Sequence, residues 1–104
     1  MKIKISENKL DSIIFQFLDN KNYIIEEILD NYYFLENYDD KFAKIKIAKD
    51  DGICYVNVKL LSELGSFFGV GFEYGGEVIG KYVENSLNIK VTEVKSAWLR
   101  LRLY

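Results

Sequence analysis

Three groups of residues in this chain have types and spacings that could do chemistry. Glu93 and Lys95, in "TEVK", pair a carboxylate able to hold a divalent cation with a lysine able to orient an attacking water. That chemistry needs a second carboxylate on a neighbouring strand, and no Asp follows Asp51, so chance accounts for the pair. The stretch "GSFFGVGFEYGG", Gly65 to Gly76, holds five glycines in twelve residues, as a phosphate cradle would. It fails both specific patterns, because a G-x-G-x-x-G run would need glycine where Tyr74 stands, and Gly80-Lys81 is followed by Tyr82 instead of Ser or Thr. What survives is a possible anion-binding turn at Gly75 and Gly76, just ahead of a helix, with Lys81 as counter-charge. The third group, Tyr32, Tyr33, Glu36, Tyr38, Asp39 and Asp40, mixes aromatic contact area with negative charge and suits capture of a basic surface.

The chain of 104 residues contains no histidine and one cysteine, Cys54. Catalysis by Ser-His-Asp or Cys-His pairs is therefore excluded within one chain, as is a tetrahedral zinc site of Cys and His. Cys54 lies in the apolar run "GICYVNVKL" and is expected to be a buried, inert thiol. Neither a cofactor nor a metal is expected, and the reading is of a protein that is not an enzyme.

These groups need elements to position them. Lys2 to Ile5 alternate as a short strand, and Ser6 stands where an N-cap belongs. Leu10, Ile13, Ile14, Phe17 and Leu18 form the stripe of a helix over about Glu7 to Leu18. Ile25, Ile28, Leu29 and Tyr32 repeat helical spacing and predict a second helix, although "NYYFLENY" is aromatic enough for a strand. From Phe42 the period becomes two, and "KIKIAKDDGICYVNVKL" reads as strand, Asp-Gly turn, strand. "LSELG" reads as a connection. Phe68, Val70, Phe72 and Tyr74 alternate with glycines as a third strand whose bare face marks close packing, in the first instance against a helix of this chain. Ile79, Tyr82, Val83 and Leu87 predict a helix from about Glu77 to Leu87, and "NIKVTEV" and "AWLRLRLY" predict two closing strands.

The expected fold is α+β in a single domain, residues 1–104. A mostly antiparallel sheet of about five to six strands carries two N-terminal helices and one later helix, in the order β-α-α-β-β-β-α-β-β.

Charge is unevenly spread along this frame. Residues 6–40 hold nine acids and two bases, whereas residues 41–104 hold seven acids and ten bases, and the whole chain is at minus two. The acidic third also holds four of the eight tyrosines. The basic, aromatic end, with Lys90, Lys95, Trp98, Arg100, Arg102 and Tyr104, could grip nucleic acid, but the acidic balance of the whole chain makes nucleic acid an unfavoured partner. No apolar run reaches the length of about 20 residues that spans a bilayer. The start of the chain lacks the apolar core of a signal peptide, so a cytoplasmic location is expected. Ile, Asn, Lys and Tyr supply 40 residues, all with AT-rich codons, as in many bacterial and phage genes. The profile is similar to that of small bacterial immunity or inhibitor proteins, which implies a toxin nuclease as the basic partner; no motif of specific residues carries that likeness. The competing expectation is a sensor of a small ligand or nucleotide at Gly75, Gly76 and Lys81.

Overall fold

The structure, a computed structural model, describes residues 7–103. The strand expected over Lys2 to Ile5 and the cap at Ser6 lie outside the described residues, as does Tyr104. Helix α1 spans Glu7–Asn20, close to its expected range. Its apolar stripe sends Ile14 and Leu18 fully into the core.

The second helix is a β-hairpin instead. Strands β1 (Ile24–Ile28) and β2 (Asn31–Leu35) pair antiparallel around a two-residue turn, Leu29-Asp30. The helical spacing was a coincidence of composition: Ile25 and Leu29, two of its four apolar positions, are exposed. β-Branched and aromatic residues dominate both strands and favour the pleated conformation. A short β3 (Phe42–Ala43) leads into β4 (Ile45–Ala48), which pairs with β2 and with β5 (Ile53–Asn57) as the Asp-Gly turn predicts. Gly52 takes a φ of 72° in that turn.

The next correction concerns "NVKLLSELGSFFGVGFEYGG". β5 stops at Asn57, whose side chain accepts a hydrogen bond from the Lys59 amide at 2.8 Å and so caps helix α2 (Val58–Phe68). Gly69 closes α2 in the left-handed region at φ 68°. After Gly71, helix α3 runs over Phe72–Leu87. The expected connection "LSELG" is thus the middle of α2, and the expected glycine strand is a helix-to-helix corner. Three glycines sit inside α3 against their helix propensity because packing outweighs it. A β-carbon at Gly80 would fall 2.8 Å from Val94 Cγ2, and one at Gly76 would fall 3.3 Å from Val94 Cγ1. Close packing does explain the glycines, but they lie on the helix and the strand lies against them.

Strand β6 (Glu93–Ala97) joins the sheet beside β5 and parallel to it, giving the order β1-β2-β4-β5-β6. β7 (Leu101–Arg102) pairs with β3 in a separate two-stranded sheet. The class is α+β with a mixed sheet, and α1 is followed by the hairpin, not by a second helix.

All three helices cover one sheet face. Phe34, Ile45 and Val56 lie in register across β2, β4 and β5 and meet Leu61, Leu64, Ile79 and Val83 from α2 and α3. Each such fully buried side chain contributes about 1.5–3 kcal/mol. Because neighbouring residues on a strand face opposite ways, Tyr33 and Leu35 enter a smaller cluster on the other face. Ala43 and Leu103 close that cluster.

Candidate functional site

The six acidic and tyrosine residues do not form one patch. Tyr32 is half-buried on the helix side of the sheet with Lys49 Nζ 4.9 Å from its ring centre. Tyr33 is buried on the opposite face, where Lys46 Nζ lies 5.9 Å from its ring and 5.7 Å from that of Tyr55. Glu36 pairs with Lys44 at 3.3 Å. Asp40 is half-buried and its carboxylate accepts the Asn37 amide at 3.0 Å, which shapes the loop. Tyr38 and Asp39 alone of the six are both exposed and not engaged by a described contact. The concavity beside this loop, about 330 Å³, is lined by Lys41, Lys44, Lys59 and Arg100 as well as by Glu36 and Asp40. Acid in the sequence is therefore neutralised in space by bases from other elements.

The glycine turn is also absent. Gly75 and Gly76 are buried within α3, and the Gly75 amide donates to the Gly71 carbonyl at 2.9 Å, so it is committed to the helix and cannot receive an anion. Lys81 pairs with Asp11 of α1 at 3.2 Å, and the same carboxylate accepts the Tyr74 hydroxyl. Glu93 and Lys95 are exposed on β6, and among the described residues no group of three or more potential ligands could hold a metal ion. Burial pushes the Cys54 thiol up to about 12, so it is not a nucleophile at neutral pH.

A concavity lies between α3 and β6, and it brings together Gly76 and Lys81 of the expected ligand turn and Glu93 of the Glu93–Lys95 pair, though not as either reading arranged them. This groove, about 620 Å³, has Glu73, Glu77 and Glu84 on its helical wall; Glu93 borders it from β6, but alternates with Val94 and so directs its side chain to the other face of the sheet. Gly76 and Gly80 floor it by letting the helix approach Val94. Lys81, the single cation in its lining, is already paired to Asp11. Glu84 accepts the Val91 amide at 2.8 Å, which fixes the connection from α3 toward β6. At one end Phe72 meets Trp98, ring centres 5.9 Å apart, and Trp98 is 74% exposed. Glu73 and Glu77 stand one helical turn apart, a like-charge pair that costs a helix a few tenths of a kcal/mol, on the order of 0.2–0.5. An acidic wall kept at that cost, beside an exposed tryptophan, has the makings of a contact surface. Its sequence signal is the i, i+4, i+11 spacing of Glu73, Glu77 and Glu84, which a helix expected to begin only at Glu77 hides.

No protein family matches the chain, and neither a curated protein nor a solved structure does.

Proposed function

We propose that this chain is a small cytoplasmic, non-enzymatic binding protein of the immunity or inhibitor type, which neutralises a basic partner such as a bacterial toxin nuclease by covering its cationic surface. The observation that carries this reading is the α3–β6 groove, where the three α3 carboxylates Glu73, Glu77 and Glu84 face one already paired cation and Trp98 stands exposed at the end. Carboxylates steer a cationic partner to the surface, and an exposed indole supplies contact area at low entropic cost. The absence of histidine and the raised thiol of Cys54 leave little acid-base or nucleophilic chemistry for the same surface to perform. Tyr38 and Asp39, on their exposed loop, are a second place for the partner to touch.

The test is affinity capture from cells that encode the chain, with the wild type, a Glu73→Lys/Glu77→Lys variant and an Asp39→Lys variant as bait. The expected result is one strongly cationic protein held at low salt, released at high salt and lost with the groove variant. Retention unaffected by the Glu73 and Glu77 reversals, or no cationic protein retained, overturns the reading. Loss with Asp39→Lys would add the loop to the surface.

A further inference from the structure

We infer that the partner docks by laying an extended, lysine- or arginine-bearing segment along the outer edge of β6, as a sixth strand of the sheet. The inference rests on the binding function proposed above and specifies how the groove is filled. β6 pairs with β5 on one side, and among the described residues no strand pairs with its other side. An uncovered edge offers unpaired backbone groups to any extended chain. Such edges are commonly blunted by proline, and the chain has none.

Lengths and charge select the occupant. Alternate side chains of a strand recur every 6.6–6.8 Å or about that distance, while Glu73 and Glu77, four residues apart on a helix, are separated by about 6 Å along its axis. Cations at alternate positions of an added strand would therefore meet successive carboxylates of the α3 wall. A second copy of this chain is the wrong occupant, because two β6 edges side by side would bring the Glu73, Glu77 and Glu84 walls of both copies together. Lys95 does not oppose a cationic strand on the groove side, since it lies in register with Tyr55 and Lys46 on the other face of the sheet. Trp98, tilted against Phe72 and exposed, is placed to receive an apolar side chain as the added strand leaves β6.

The experiment uses the full chain, isotope-labelled for amide spectroscopy. The probe is a capped eight-residue peptide of alternating Lys and Thr, compared with a version carrying two internal prolines and with a Glu-Thr version. Shifts concentrated in residues 93–97, slowed hydrogen exchange of β6 amides, no binding of the Glu-Thr peptide, and a loss of affinity of about tenfold or more with the proline peptide and with Glu73→Lys/Glu77→Lys support the inference. Equal binding of the proline peptide, or binding without a change in β6 exchange, overturns strand addition while leaving capture of a basic partner standing on its own test. Two other results overturn it as well: β6 amides that change with protein concentration, which assigns the edge to a second copy, and β6 amides that shift in a Lys2→Glu/Lys4→Glu variant without peptide, which assigns it to the chain's own first residues. Strand addition with this probe but no cationic protein captured from cells would instead sink the functional reading.

Discussion

Gly80 and Val94 approach so closely that a β-carbon on the glycine would stand 2.8 Å from Val94 Cγ2. The contact between α3 and β6 thus depends on two glycines, Gly76 and Gly80, while Gly75 in the same helix faces α2. A β-carbon at Gly76 would meet Val94 at 3.3 Å, and one at Gly75 would meet Leu64 at an ordinary 3.5 Å.

Alanine at these positions should separate into a graded series. Gly80→Ala destabilises by about 1–3 kcal/mol through overpacking, Gly76→Ala by less, and Gly75→Ala is neutral or stabilising by about 0.5–1 kcal/mol from helix propensity. Urea unfolding measures all three. Adding Val94→Ala should recover part of the Gly80→Ala loss, and equal behaviour of Gly80→Ala and Gly75→Ala would contradict the seam described here.

Leu29 turns the β1–β2 hairpin at φ 53° with 87% of its surface exposed, so it bears left-handed backbone cost with little burial in return. Leu29→Gly should raise stability by about 0.5–1 kcal/mol, the relief of a left-handed side chain of about 1–2 kcal/mol less the added freedom of glycine in the unfolded chain. A rise in melting temperature is the expected reading, and a fall would show that the leucine makes contacts which outweigh its strain.

The hydroxyl of Tyr23 is buried with no hydrogen-bond partner among the described residues. Burial foremost, then the neighbouring Glu36 and Glu63, pushes its ionisation above the ordinary value. Removing the orphan group in Tyr23→Phe should be neutral or stabilising by about 1 kcal/mol, since an unsatisfied buried hydroxyl carries a desolvation penalty. A clear loss in chemical denaturation would mean that the hydroxyl is bonded.

Alkaline pH should unfold the protein through the same buried groups. Burial raises Cys54 from 9.0 to about 12, so its protonated form favours the native state. Its contribution is complete below pH 9. It is lost between pH 9 and pH 12, as the unfolded chain releases a proton that the native chain keeps, with a full slope of about 1.4 kcal/mol per pH unit. Cys54→Ala should show a shallower decline over that window in urea midpoints, and an unchanged decline would remove the thiol from the account.

The sequence showed the α+β class, the first helix and the Asp-Gly hairpin because each has a single clear period. It misplaced elements where two periods coincided. Ile25, Ile28, Leu29 and Tyr32 fit helical spacing, yet Leu29 sits at a turn that only the paired strands define. Phe68, Val70, Phe72 and Tyr74 alternate like a strand, yet Gly69 and Gly71 mark the end of one helix and the start of the next. The candidate site suffered more, because counting charge along the chain does not show which acids will be neutralised. Glu36 meets Lys44, eight residues later, while Glu73 and Glu77 stay in the open. The groove itself depends on a long-range contact, Gly80 with Val94, that no local pattern announces.

The parallel pairing of β6 with β5 also sets an order of events. β1, β2, β4 and β5 can zip as neighbouring hairpins, each closing a short loop, whereas β6 reaches β5 only across residues 58–92, which fold as α2 and α3. Loop-closure entropy makes that last pairing the slow, late one. The β6 edge is therefore absent from a half-folded chain, and a partner reading it would tell finished molecules from nascent ones.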